Sequence, residues 1–417
     1  MELDQIKAPA DQIVDRHLVL TIQTPDQVPD DETAPTTSGR EPIGFAAVLD
    51  VSGSMRGQKI EAAREGVRQA VRRLHDGDLF SLITFASEVQ AVLNPTRVNS
   101  ELRKQVESIL GEVAAGGQTA LCGGLEAGIK AAQAKPQETN LVLLLSDGQA
   151  NVGETDLEKV GKRAFEARQS VTTSTIGIGR GYNEALMVEV ATQGGGRFYH
   201  VLHAHQIAPY VAGELGEVSA LAARDATLRL TLPDGTGLQP FSSAYTTTSQ
   251  STVKLGDIPV DTQLEIALRL LLPPQPAGSR LPIEGRLTYR SPAGNDLTAP
   301  LNVVTLRFVA SSAFERRKGA VTPVVERVLE HMRASGVLRT VRTAAVGDQA
   351  AAEKARRLDV TKVRDYASLL GDEAAEKLAA EHEQTYAAMA SAPAKAKSVV
   401  GRAHGRQRGT KDFDKKK

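Results

Sequence analysis

From residue 42 to about residue 205, apolar runs of strand length alternate with stretches whose apolar residues recur at helical spacing. "IGFAAVLDVS", "DLFSLITFAS", "NLVLLLSDG", "VTTSTIGIG" and "GRFYHV" read as strands, with "EVQAVLNP" as a short partner strand. "KIEAAREGVRQAVRRL", "SELRKQVESILGEV", "LCGGLEAGIKAAQA", "DLEKVGKRAFEAR" and "NEALMVEVATQGG" read as helices. The run "NLVLLLS" has no polar face, as expected for a strand covered on both sides in the middle of a parallel sheet. Strand-helix alternation of this kind predicts an α/β domain with a doubly wound, mostly parallel sheet.

The pattern differs on either side. "HLVLTIQT" near the N-terminus is a strand, followed over 25–41 by a Pro-, Asp-, Thr- and Ser-rich linker without periodicity. From 225 to 309, short alternating strands such as "ATLRLTLPDG", "STVKLGDI" and "IEGRLTYRS" are separated by Pro, Gly, Asp and Asn turns. No helical period is visible there, and a small β-sandwich is expected. "PVVERVLEHM" and "AAEKLAAEHEQTY" then show helical spacing. The expected organisation is an N-terminal strand of the sandwich plus linker (1–41), the α/β domain (42–222), the β-sandwich (223–310), a helical region (311–390) and a disordered basic tail (391–417). The tail reading rests on "KAKSVVGRAHGRQRGTKDFDKKK", with nine Lys/Arg against two Asp.

Composition narrows the function classes. Lys+Arg and Asp+Glu balance at 50 each, so net charge favours neither nucleic acid nor an anionic membrane. A single cysteine, Cys122, allows no intrachain disulfide and suits a reducing, cytoplasmic setting. The N-terminus lacks the apolar core of a signal peptide, and no apolar run approaches the ~18 residues needed to span a bilayer. Few aromatics with abundant Ala, Gly and Arg lean toward a bacterial source.

The chemistry concentrates at strand ends. Asp50 closes the first α/β strand, and Ser52 and Ser54 follow at alternate positions in the loop before the next helix. Thr119 lies in the Gly-rich loop "AAGGQTALCGG", and Asp147 ends the central apolar strand in "LVLLLSDGQAN". In a doubly wound sheet the carboxyl ends of the strands form the ligand rim. Two carboxylates and three hydroxyls make an all-oxygen set, suited to Mg²⁺, Mn²⁺ or Ca²⁺ rather than Zn²⁺ or Cu²⁺. So few anions leave an ion with water and an exchangeable position, which an outside carboxylate can take.

"DVSGSM", the Thr of "GGQTAL" and the Asp of "LSDGQAN" resemble the metal-ion-dependent adhesion site, or MIDAS, of the von Willebrand factor A domain. "GDLFSLITFAS" and "TIGIGRGYNEALMVEVATQGGGRFYHV" resemble that family's second strand and its closing strand-helix-strand. The resemblance implies that Ser52 and Ser54 bind the ion directly, Thr119 directly or through water, and Asp50 and Asp147 partly through water. An A domain inserted in a β-sandwich followed by helices resembles inter-alpha-trypsin-inhibitor heavy chains and many bacterial proteins. It implies a non-enzymatic, cation-dependent protein-binding protein whose metal is ligated by a partner's Asp or Glu. A second expectation is an accessory subunit working with an AAA+ ATPase in a chelatase-like or maturation system. In the family, the helix after the sixth strand can move as the metal shell changes; here it is "AHQIAPYVAGELGEVSALAA".

Plainer readings stand beside these. Asp50, Ser52 and Ser54 could form only a turn and helix cap, or a degenerate site. "GIGRG" lacks the full dinucleotide-loop spacing and reads as a strand-to-helix turn. "VSGSM" is not a nucleophile elbow, and a hydrolase using the ion lacks a general base in these loops. His200, His203 and His205 in "HVLHAH" suit a strand end entering a helix better than a metal site. Cys122 reads as a small packed residue near a helix start, close enough to Thr119 for oxidation to disturb the site.

Overall fold

A computed structural model of the chain describes residues 1–26, 42–147, 149–179, 181–202, 206–219 and 221–408. The chain divides into two units, Met1–Ala34 with Leu221–Lys417, and Pro35–Ala220. Two short strands and a long one open the first unit: β1 (Glu2–Leu3), β2 (Lys7–Pro9) and β3 (Val14–Gln23). The sequence pattern announced only β3; Leu3 and Ala8 are nevertheless buried, in strands too short to show a period.

The second unit runs β4 (Ile43–Asp50), α1 (Gln58–Arg73), β5 (Leu79–Phe85), β6 (Val89–Arg97), α2 (Ser100–Glu112), α3 (Leu121–Ala134), β7 (Thr139–Ser146), α4 (Leu157–Ala167), β8 (Thr172–Ile178), α5 (Glu184–Gln193), β9 (Gly195–Val201) and α6 (Ile207–Ser219). Its six-stranded sheet has the order β6-β5-β4-β7-β8-β9. All pairings are parallel except β5 with the edge strand β6. β4 and β7 lie side by side in the middle, and every residue of both is buried, because helices cover both faces. The glycines of α3 allow that cover: a Cβ on Gly128 would stand 2.3 Å from Val48, and one on Gly124 2.5 Å from the Phe85 ring. After β4 the chain moves outward to β5, and from β7 it moves the other way to β8. The topological switch point is therefore between the carboxyl ends of β4 and β7.

The first unit resumes with β10 (Leu221–Thr231), β11 (Gly237–Pro240), β12 (Thr246–Ser249), β13 (Thr252–Pro259), β14 (Gln263–Leu272), β15 (Arg280–Arg290), β16 (Asp296–Pro300) and β17 (Val304–Val309). Helices α7 (Thr322–Ala345), α8 (Gln349–Ala367), α9 (Asp372–Ser391) and α10 (Pro393–Gln407) follow. One sheet has the order β1-β3-β14-β11, the other β12-β13-β10-β15-β17-β2, with β16 on β15. β3 pairs antiparallel with β14 along its whole length, so the early strand joins strands more than two hundred residues later. Leu18, Leu20 and Leu268 of the first sheet share one apolar cluster with Leu228, Leu230 and Phe308 of the second. The other face of the first sheet, through Val19 and Ala267, packs on Val324, Val328 and Val363 of α7 and α8.

One expectation is corrected. The basic stretch after 391 is helical over Pro393–Gln407. Ala396, Val400 and Ala403 recur at helical spacing and are buried; the surrounding charge obscured this narrow stripe. Residues 409–417, the remainder of the expected tail, lie outside the described residues.

Candidate metal centre

Asp50 is the last residue of β4, and Asp147 follows directly after β7, so the sheet delivers two carboxylates to the switch point. Both are fully buried. Ser52 begins a tight turn whose 3-10 segment is Gly53–Met55, and Gly57 (φ 74°) supplies the left-handed residue that starts α1. The Ser52 amide donates to Asp50 Oδ1 at 2.8 Å, and the Ser146 hydroxyl donates to Oδ2. Ser52 Oγ is 3.1 Å from Ser54 Oγ, and Ser54 Oγ donates to Asp147 Oδ1 at 2.9 Å. Hydrogen bonds thus connect Asp50, Ser52, Ser54 and Asp147.

Thr119 joins through the backbone. Gly53 N donates to Gly117 O at 2.9 Å and Gly116 N to Val51 O at 2.8 Å, docking the two loops together. Gly117 has φ 81°, and a Cβ there would meet Ser87 Oγ at 2.9 Å, so glycine is needed on both counts. The Thr119 amide is held by Asn151 Oδ1 at 2.7 Å. Ser52 and Thr119 are buried, whereas Ser54 is exposed, so the cluster reaches the surface at Ser54.

Three contributors were not read from the sequence: Ser146, Asn151 and Lys59. Lys59 Nζ is 2.7 Å from Asp147 Oδ2 and donates to Ser54 O at 3.0 Å. A signal existed, since a lysine in the first turn of a helix opposes the macrodipole and calls for a nearby carboxylate. Burial pushes the Asp50 carboxyl above the usual carboxylate range; Ser146 and Ser52 pull it back in part, and the Asp147 charge adds to the rise. A cation nearby relieves the same penalty.

The donor set fits a hard divalent ion: carboxylate and hydroxyl oxygens, with no sulfur or imidazole among the five residues. Among the described residues, no group of three or more His, Cys, Asp or Glu side chains is placed to hold a metal, so a site here depends on the hydroxyls. His200 is otherwise engaged, its Nδ1 2.7 Å from the Tyr182 hydroxyl; His203 and His205 lie outside the described residues. Cys122 is buried, and its thiol is pushed up to about 11 by burial and then by the Glu126 charge. No helix among the described residues is long and apolar enough to cross a membrane.

Known proteins are similar to this chain. Residues 46–208 match the family model of the von Willebrand factor type A domain. A protein of Synechocystis is 26% identical over 281 residues, 63% of this chain and 66% of its own length. Pig inter-alpha-trypsin inhibitor heavy chain H1 is 27% identical over 194 residues, 44% of this chain and 21% of its own length. The chain covers less than two thirds of each of these relatives. Among solved structures, a von Willebrand factor type A protein from Catenulispora acidiphila has a TM-score of 0.67 at 17% identity, covering 98% of this chain and 96% of that one. The ArnB paralog VWA2 from Sulfolobus acidocaldarius has a TM-score of 0.60 at 17% identity, covering 97% of each. At that identity these structures speak for the fold of the whole chain. The α/β unit of this chain is a von Willebrand factor type A domain.

Proposed function

We propose that the protein is a non-enzymatic, divalent-cation-dependent protein-binding protein. Asp50, Ser52, Ser54, Thr119 and Asp147 hold Mg²⁺, or Mn²⁺ or Ca²⁺, and form a complete MIDAS. The observation that carries this reading is the hydrogen-bonded set Asp50–Ser52–Ser54–Asp147 at the switch point, with the Thr119 loop docked on it. The bound ion supplies a Lewis-acidic position for an Asp or Glu side chain of a partner protein. The chain's own residues do the rest. Asp50 and Asp147 offset the ion's charge, and their burial keeps that charge uncompensated by solvent. The backbone bonds between the two loops hold the hydroxyls in place, so little ordering is left to binding. Exposed Ser54 marks the side from which a partner carboxylate reaches the ion. We assign the protein to the cytoplasm of a bacterial cell on its single cysteine and its composition.

The test is capture from a lysate of the source cell by wild type in Mg²⁺, wild type in EDTA, and Asp147→Asn in Mg²⁺. A protein retained only by wild type in Mg²⁺ supports the reading, and an AAA+ ATPase in that class moves it to an accessory role beside such a machine. Identical retention in all three refutes it.

A further inference from the structure

The first unit contains a cavity of about 350 Å³ where the outer face of the β3–β14 sheet meets α7 and α8. The sequence places it through the strand period. On β3, Val19, His17 and Asp15 share one face; on β14, Ala267 and Arg269 share the same face. Val19 and Ala267 lie in the apolar cluster with the helices, and two residues further along each strand the packing gives way to charged and aromatic side chains.

The groups lining this cavity are fixed, and positive charge is left over. Asp15 is taken by Arg269, whose Nε and Nη2 donate to it at 3.1 and 2.8 Å. Asp359 is buried and accepts from Tyr386 Oη at 2.8 Å and Arg339 Nη2 at 3.1 Å, with His382 Nε2 at 2.6 Å. Arg339 itself is exposed, and its contact with Asp359 is made through Nη2. Arg316 and Lys362 also line the cavity; Arg316 Nη2 donates to the backbone oxygen of Asp365 at 2.8 Å, and neither side chain has a carboxylate partner among the described residues. Asp365 offsets one of these charges and leaves the wall net positive. On the other side His17 lies 5.6 Å from the Phe241 ring and 4.6 Å from Tyr366, centroid to centroid. Its Nδ1 is held by buried Asp4 at 2.9 Å, and its Nε2 lies 4.0 Å from Asp15 Oδ1. A pocket of this size with a few converging polar groups and an aromatic wall is the form small-ligand sites take.

We propose that this cavity binds a small organic anion, its carboxylate or phosphate held by Arg316, Lys362 and Arg339, its body against Phe241 and His17. Guanidinium and ammonium groups without carboxylate partners are the usual recognition elements for such oxyanions. The site is independent of the metal centre and of the function proposed for it.

Calorimetric titration of the full chain at about 150 mM salt tests this with three probes: inorganic phosphate, citrate and AMP. At least one is expected to bind saturably with Kd below about 1 mM. Binding by citrate alone assigns a carboxylate ligand, and binding by phosphate or AMP a phosphate-bearing one. The double variant Arg316→Gln/Lys362→Gln, whose exposed positions leave the core intact, is expected to weaken binding at least about tenfold with an unchanged melting temperature. Asp147→Asn is expected to leave it unaltered. Absence of saturable heat for all three probes up to about 10 mM, or a smaller weakening in the double variant, overturns the proposal.

Discussion

Replacing Lys59 with Met removes the one cation in contact with the Asp147 carboxylate among the described residues. The pair is asymmetric: the Lys59 side chain is 30% exposed, whereas that of Asp147 is 0% exposed. Breaking a buried ion pair on one side costs about 3–5 kcal/mol, because the remaining charge is stranded. Partial exposure of the ammonium screens the interaction and brings the expected loss to about 2 kcal/mol. Asp50, buried in the same cluster, works in the same direction, because it leaves a second carboxylate with less compensation. For a domain of about 150–250 residues, each kcal/mol shifts the melting temperature by about 2–4 °C. Lys59→Met should therefore melt about 4–8 °C below wild type in EDTA. A divalent ion takes over the neutralisation, so Mg²⁺ should raise the variant's melting temperature more than that of wild type. Lys59→Arg keeps the charge and should fall between the two. Thermal unfolding with and without Mg²⁺ reads all of this. Equal melting temperatures for wild type and Lys59→Met in EDTA would refute the reasoning, as would a loss that Mg²⁺ does not reduce.

Further expectations reach other parts of the molecule. A Cβ on Gly336 of α7 would stand 1.8 Å from Asp359 Oδ2, so Gly336→Ala should destabilise by more than about 2 kcal/mol in urea unfolding. Gly111→Ala in α2 meets nothing within 4 Å and should be neutral or stabilising by up to about 1 kcal/mol. Burial lowers the His331 pKa, which the hydrogen bond with Glu265 only partly offsets, so folding favours the neutral ring. The unfolded chain protonates it below about pH 6.5; the stability is therefore present above that pH and lost as pH falls through the folded value. His331→Gln should flatten the fall in unfolding free energy between pH 7.5 and 5.5. The raised Cys122 thiol should react with iodoacetamide at pH 7.5 on the order of a hundredfold more slowly than a free cysteine. Ile207 of α6 presses on Gly66 of α1, the helix that follows Ser54, so Mg²⁺ should alter amide exchange over residues 206–219.

The α/β unit was legible because its signals are local. β4 and β7 carry the apolar runs FAAVL and LVLLL; β4 ends at Asp50 and β7 leads directly into Asp147, and the parallel topology brings both acids to one crevice. Asp50, Ser52, Ser54 and Asp147 could be grouped from strand ends alone, and the structure connects them directly. Lys59, Ser146 and Asn151 were not, because each acts through a partner distant in sequence: Lys59 reaches Asp147, Ser146 reaches Asp50, and Asn151 holds Thr119. The β-rich unit was harder for the same reason. β1 and β2 are too short for a pattern, and the pairing of β3 with β14 joins the two ends of a long insertion. In α10 a narrow apolar stripe was masked by its basic neighbours.

The central claim is that one divalent ion is held by these five oxygen-bearing side chains. Titration of the metal-free protein with Mn²⁺, followed by electron paramagnetic resonance of the free ion, tests it most directly. Wild type should take up one ion per chain, while Ser54→Ala and Asp147→Asn, folded by circular dichroism, should lose saturable binding. Uptake unchanged in both variants, or no saturable uptake by wild type, would contradict the account.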